Sequence, residues 1–481
     1  MAILSSDLIR QGASGASAGY TINQSIRFND DDSPELTKTY SGAGSRTTQT
    51  FSVWFKLGNT QSSSGFNFYN GGTGTSDTAW SGISIYDHKI YLQGYNTNWK
   101  VTTRLLRDHS AWYHLVYNWD TTNSIASERV RLYINGQRET DFSTDNNPGA
   151  SASSGIGQAA KHSIGNQSRS VGYGYADAYL AEMHFLDGYA YGPEFFGEFK
   201  EDTDIWIPKE YSGSYGTNGF YIDGRDSSDL GDDESGQGND FTSSGLAAND
   251  QMIDTPTNNF CTINSIYADD AGAGNALTLA EGNLKATGGG SSFSVKGLTF
   301  NLPSSGKWYF EYTIGGTEDG FGFIKEGEQG SINASNGPGN VTVAQGGGIQ
   351  HSGWRNGGNF TVSFGSTFTA GHIHQIAIDV DNGKFFYGVQ NTYYAADAGT
   401  DGNPSAGTNE TSTFAFSTNP NDIVLLAAAY SGTQHWNFGQ NGTFNGTKTA
   451  QGNSDANGIG NFFYAVPTGY LALCSSNLGA V

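Results

Sequence analysis

Apolar and polar side chains alternate with a period of two along much of this chain, between short runs of Gly, Asn, Asp and Ser. That rhythm belongs to half-buried antiparallel strands. In residues 51–57, Phe51, Val53, Phe55 and Leu57 share one face while Ser52, Trp54 and Lys56 share the other. Val130, Leu132 and Ile134 repeat the pattern, and the Asn135-Gly136 pair behind them has the composition of a type I′ hairpin turn. Ile376, Ile378 and Val380 run through Asp381-Asn382-Gly383 into Lys384-Phe385-Phe386-Tyr387, and Trp308, Phe310, Tyr312 and Ile314 make another alternating set. Helical spacing is scarce. Its best candidate is residues 193–199, where Pro193 would open one or two turns.

A length of 481 residues exceeds one ordinary core, so two domains are expected. Gly supplies 68 residues and the charged residues only 15 %, against about 25 % in an average protein, which argues against a helix-rich chain. The 29 Phe, 26 Tyr and 9 Trp supply the interiors instead. With 24 basic against 46 acidic residues the net charge is −22, a field that repels polyphosphate and argues against nucleic acid as a partner. Two cysteines neither staple a small scaffold nor form a zinc site without histidines. Met1-Ala2-Ile3-Leu4-Ser5-Ser6-Asp7 has no basic stretch leading into an apolar one, and no apolar run has the length of a membrane span; neither a secretion signal nor membrane insertion is expected.

The fold class read from this pattern is all-β, with two tandem antiparallel β-sandwiches of the jelly-roll kind joined by an acidic Gly/Ser/Asp-rich linker. Residues 1–20 form a small, polar N-terminal arm, 21–208 the first sandwich, 209–259 the linker and 260–481 the second sandwich. Between residues 223 and 254 nine acids face one base, Arg225. A solvated, self-repelling connector is preferred for this stretch over a calcium-loaded loop.

The order Ala111-Trp112-Tyr113-His114-Leu115-Val116-Tyr117-Asn118-Trp119-Asp120, Arg131-Leu132-Tyr133-Ile134-Asn135-Gly136, Ser163-Ile164-Gly165-Asn166 and Tyr179-Leu180-Ala181-Glu182-Met183-His184-Phe185 resembles the strands of a laminin-G-like or concanavalin A-like sandwich. Ser305-Gly306-Lys307-Trp308-Tyr309-Phe310-Glu311, the hairpin at 376–384 and Trp436-Asn437-Phe438-Gly439-Gln440 look like strands of a SPRY-type sandwich. The joints Arg27-Phe28-Asn29-Asp30-Asp31-Asp32-Ser33, Gly216-Thr217-Asn218-Gly219-Phe220-Tyr221, Asp254-Thr255-Pro256-Thr257-Asn258-Asn259-Phe260-Cys261 and Pro467-Thr468-Gly469-Tyr470-Leu471-Ala472-Leu473-Cys474 extend the resemblance to a family of tailed-bacteriophage virion proteins, often assigned to tail fibres, in which both sandwiches occur in tandem. The resemblance implies a virion structural protein assembled in the host bacterial cytoplasm, with other virion proteins and host-surface glycan as partners. It also fits a homo-oligomer.

Candidate chemistry is sparse. Glu139-Thr140-Asp141 lacks the third carboxylate of a glucanase strand, and Gly15-Ala16-Ser17-Ala18-Gly19 lacks the strand and helix of a nucleophile elbow, so no catalytic residue is assigned. His372 and His374 read as partly exposed strand histidines in preference to two metal ligands. Asp379 and Asp381, with Asn382, are a tentative calcium pair weighed against a plain β-turn; no other cofactor is expected. Cys261 and Cys474 sit at opposite ends of the second domain, where first and last strands commonly pair, and buried thiols are favoured over a disulfide. Sugars stack on rings and need polar partners for their hydroxyls, which points to Trp354 and Arg355 on a presumed loop, then to Trp80 and Trp99. The resulting expectation is a non-enzymatic adhesin that touches glycan through its loops. A purely stabilising decoration protein is the alternative, and a polysaccharide depolymerase stands behind both.

Overall fold

The computed structural model describes residues 19–58, 65–169, 174–267, 277–290, 294–316, 319–325, 347–350, 353–356, 359–363, 369–397, 399–413 and 422–479; at 347–350, 353–356 and 359–363 it describes the backbone alone. They form two compact units, 19–257 and 258–479. Both are built of antiparallel sheets.

In the first unit one sheet runs in the order Gln137–Arg138, Val130–Ile134, Tyr113–Asp120, Thr48–Leu57, Ala178–Asp187, Ser25–Phe28 and Gln251–Met252, with Phe220–Ile222 also paired to Ala178–Asp187. The other runs Phe142–Asp145, Asn98–Thr102, Lys89–Gly94, Ser81–Tyr86, Phe66–Gly71, Lys161–Ile164, Glu35–Thr39 and Thr242–Ser244. The alternation read from sequence is the packing rule. Phe51, Val53, Phe55 and Leu57 of the first sheet enter one core with Ile83, Ile85, Ile90 and Leu92 of the second. Each such side chain contributes roughly 1.5–3 kcal/mol relative to exposure. Trp54, on the opposite face of its strand, packs with Ile22 and Ala181. Asn135 and Gly136 have φ of 48° and 75°, the left-handed pair of a type I′ turn, and Ile134 pairs with Gln137 across it.

The linker expectation is corrected. Residues 209–257 belong to the first unit and add strands to both sheets: Phe220–Ile222 beside Ala178–Asp187, Thr242–Ser244 beside Glu35–Thr39, and Gln251–Met252 beside Ser25–Phe28. Of the nine acids between residues 223 and 254, Asp233, Asp250 and Asp254 are buried with partners, while Asp226, Asp229 and Asp240 remain exposed. Asp250 pairs with Arg27 at 2.8 Å and Asp254 with Lys56 at 2.9 Å, all four side chains nearly inaccessible. Asp233 accepts N–H groups from Tyr221, Ser235 and Asn239. Phe220, Ile222, Leu230 and Phe241 bury with the core, so the division between units falls after Thr257. The helix expected at 193–199 is also corrected: a single 3-10 turn, Pro193–Phe195, gives way to a strand, Gly197–Phe199, paired with Trp206–Pro208. A Cβ on Gly197 would lie 2.4 Å from the Trp206 ring, so close packing of that ring governs the backbone here.

In the second unit Lys307–Thr313 lies between Ile373–Asp379 and Thr433–Asn437 in a nine-stranded sheet, and Ser294–Asn301, Ile423–Ala429, Gly320–Lys325, Gly347–Gln350, Gly353–Asn356 and Asn359–Ser363 form a six-stranded one. The hairpin at 376–387 is present, with Asp379 paired to Lys384 across a four-residue loop in which Gly383 takes φ 61°. Both faces of Lys307–Thr313 are buried, so Tyr309 and Glu311 are as inaccessible as Trp308 and Phe310. The ends of the unit meet: Phe260 bridges Cys474, and the Cys261 N–H donates to the Leu473 carbonyl at 3.1 Å. Both cysteines are buried thiols, and burial pushes that of Cys474 up to about 12. Among the described residues no helix is long and apolar enough to cross a membrane.

Candidate functional site

Two cavities open on opposite sheets of the first unit. One, of about 380 Å³, lies on the outer face of Ser81–Tyr86, Lys89–Gly94 and Asn98–Thr102 and is lined by Ser84, Tyr86, Tyr91, Gln93, Gly94, Tyr95, Asn96, Thr97 and Asn98. Strand alternation builds it. With Ile83, Ile85, Ile90 and Leu92 turned to the core, Ser84, Tyr86, Tyr91 and Gln93 must face outward. The turn joining these strands uses Asp87 at φ 48° and His88 at φ 60°, which sets Ser84 opposite Tyr91 and Gly82 opposite Gln93. Tyr86 and Tyr91 then sit diagonally, their rings edge to face at 6.1 Å. Burial and the nearby Asp87 raise the Tyr91 phenol, keeping its hydroxyl a donor.

The loop beyond is tied down by Asp77, whose carboxylate accepts the N–H groups of Asn96 and Thr97 and the Thr97 hydroxyl. This presents Tyr95, 37 % exposed, at the rim, while Tyr86 is 42 % exposed on the strand. Over the Tyr95 ring, 4.2 Å from its centroid, lies the Arg169 guanidinium, which also covers Trp80 at 5.7 Å. Ser168 fixes that arginine's loop to the sheet, its N–H donating to Asn70 Oδ1 at 2.7 Å and its hydroxyl to the Gly72 carbonyl at 2.6 Å. Gln93 donates to Ser84 Oγ at 2.9 Å. Ring faces, amides and hydroxyls are the groups that hold a neutral pyranose, and no carboxylate is among the nine lining residues.

The second cavity, of about 450 Å³, includes Tyr20, Glu182, His184, Glu210, Tyr211, Tyr221, Asp223 and Arg225 in its lining. Glu182 reaches it through a bulge: pairing with Thr48–Leu57 slips between Ala181 and His184, Glu182 takes φ 51°, and a residue that alternation would send to the core turns outward. Its two oxygens accept the Tyr20 and Tyr221 hydroxyls at 2.9 and 2.7 Å, and His184 stacks on Tyr221 at 4.4 Å. Burial, reinforced by the Glu182 charge, pushes both phenols far up, so they serve as hydrogen-bond donors and not as phenolate nucleophiles. The Arg225 guanidinium is held by Asp223 and Glu234. This network answers its own polar atoms.

The residues singled out from sequence fare unevenly. Trp80 is 2 % exposed, sealed beneath Arg169 with Nε1 donating to Asn70 Oδ1 at 3.3 Å; Trp99 turns inward against the core, edge-on to Trp119. Neither is an open stacking surface, because Trp99 occupies a core-facing register and Trp80 is roofed by a loop distant in sequence. Trp354 and Arg355 lie not on a loop but in the inner strand Gly353–Asn356, Trp354 pairing with Ile349 and Val362; their side chains fall outside the described residues. Asp379 pairs with Lys307 at 3.0 Å and accepts from the Asn382 side chain and N–H, while Asp381 accepts the Gly306 N–H. Both carboxylates close turns, and among the described residues no group of three metal-ligating side chains converges. His374 is fully buried, not partly exposed, with Nδ1 2.7 Å from the Tyr387 hydroxyl. Residues 15–18 of the serine motif lie outside the described residues. Tyr86, Tyr91 and Tyr95 were missed, although the alternation of residues 81–94 placed the first two outward.

Residues 28–190 match the family model of the concanavalin A-like lectin/glucanases superfamily. No curated protein matches the sequence. Among solved structures, the chain is similar to a candidate carbohydrate-binding protein of Bacteroides ovatus at 14 % identity and TM-score 0.32, over 47 % of this chain and 60 % of that one. It is also similar to a heptameric SAP-like pentraxin of Limulus polyphemus, at 15 % identity and TM-score 0.24 over 36 % and 80 % of the two chains. The SPRY domain of human HERC1 is similar at 12 % identity and TM-score 0.23, over 32 % and 87 %. The chain thus spans less than two thirds of the Bacteroides ovatus protein.

Proposed function

We propose that this chain is a glycan-binding, non-enzymatic component of a bacteriophage virion, a tail-fibre or adhesin-like protein displayed in several copies. The observation that carries the binding role is the tyrosine and amide cavity on the outer face of Ser81–Tyr86, Lys89–Gly94 and Asn98–Thr102, within a domain matched by a lectin and glucanase superfamily. The virion setting is supported by the tandem arrangement of the two sandwiches and the sequence of their joints. Tyr86 and Tyr91 would stack on the apolar faces of a sugar, while Gln93, Asn96 and Asn98 meet its hydroxyls. Single contacts of this kind are weak, and repetition over copies raises avidity by orders of magnitude.

The test is a glycan array probed with the wild-type protein and with Tyr86→Ala and Tyr91→Ala. Each stacked ring contributes about 1 kcal/mol or more, so each substitution is expected to weaken binding several-fold while the melting temperature holds. Binding is expected to survive EDTA, since among the described residues no three metal-ligating side chains converge. A protein that stays attached to virions yet binds no host glycan would be a decoration protein, and release of reducing ends from host polysaccharide would make it a depolymerase.

A further inference from the structure

We propose that Arg169 makes the tyrosine-lined cavity selective for glycans that carry a carboxylate, as uronic acids do. The proposal rests on the glycan reading above and names the sugar class. The Arg169 Cζ lies over the Tyr95 ring, 4.2 Å from its centroid, in a loop pinned by Ser168. Stacking engages the face of a guanidinium and leaves its five N–H donors in the plane of the group. Among the described residues no carboxylate lies within ion-pair distance of Arg169, although the chain carries 46 acidic residues. Arg27 and Arg225 are neutralised by aspartates of their own unit, whereas the guanidinium fork of Arg169 meets no carboxylate among the described residues and sits over Tyr95, which lines a cavity of uncharged side chains.

A planar carboxylate matches that fork with two parallel hydrogen bonds, a geometry an ammonium or an amide does not offer. The ring beneath orients the guanidinium in advance, so less freedom is lost when the pair forms. The net charge of −22 opposes an approaching polyanion only at long range; salt screens it within about 8 Å at physiological ionic strength, whereas the fork acts at hydrogen-bond distance.

The experiment titrates oligoglucuronate and its carboxyl-reduced form, oligoglucose, against wild-type protein, Arg169→Gln and Arg169→Lys, alongside the array. Wild type is expected to prefer the glucuronate roughly tenfold, the scale of a charge-assisted hydrogen bond. Arg169→Gln should abolish that preference while neutral binding persists, and Arg169→Lys should restore only part of it. Equal binding of the two sugars by wild type, or a preference that survives Arg169→Gln, overturns the proposal. Array binding confined to neutral glycans overturns it and leaves the glycan reading standing; no binding to any glycan overturns both.

Discussion

Glu311 carries an electrostatic compromise in the second unit. Its carboxylate is fully buried and accepts the Tyr309 hydroxyl, the Asn437 amide and the N–H groups of Phe463 and Tyr464 at 2.8–3.2 Å. Burial pushes its pKa up to about 7 from 4.5, and the four donors pull it back only in part. Below pH 4.5 it is protonated folded or unfolded; between 4.5 and 7 only the unfolded chain releases the proton, so its contribution to stability falls as pH rises. The stability of wild type relative to Glu311→Gln is expected to drop by about 3 kcal/mol across that window, read from urea unfolding at a series of pH values. Sequence placed Glu311 in a strand and said nothing of this, because both faces of that strand are covered by residues distant in the chain.

At the scale of elements, the acidic stretch after Pro208 shows how composition misleads. Read alone it is a solvated connector, yet its strands complete both sheets and two of its aspartates, Asp250 and Asp254, meet buried cations. Breaking a buried pair costs about 3–5 kcal/mol, since the remaining charge stays desolvated. Asp250→Ala, which removes the carboxylate paired with Arg27 and the acceptor for the Ala247 N–H, is expected to destabilise the protein by at least about 3 kcal/mol in urea unfolding. A chain cut after Pro208 is expected not to fold, seen as loss of the cooperative melt that residues 16–257 retain. The bulge in Ala178–Asp187 teaches the same lesson: one extra residue reverses the face of Glu182, and strict alternation has no means of announcing it.

At the scale of the molecule, each unit has its own core, and fragments 16–257 and 258–481 are expected to melt cooperatively when expressed separately. The first should be the more acid-sensitive against a neutral reference. Burial holds His109 and His162 near 4 and His114 near 3, so these three stay neutral in the fold while the unfolded chain takes up protons below about 6.5. Their contribution is present above that pH and lost as it falls toward 3, so the melting temperature of fragment 16–257 should decline steadily over that range. Much of this architecture was legible in sequence: a period of two and a turn such as Asn135-Gly136 depend on neighbours in the chain, and they gave the strands, the all-β class and the two cores. The tyrosine cavity, the roof over Trp80, the strand location of Trp354 and the buried partners of Asp250 and Asp254 depend on register and on residues up to some two hundred positions away. Those were decided only when the sheets closed, because burial and pairing are properties of the packed chain and not of any segment of it.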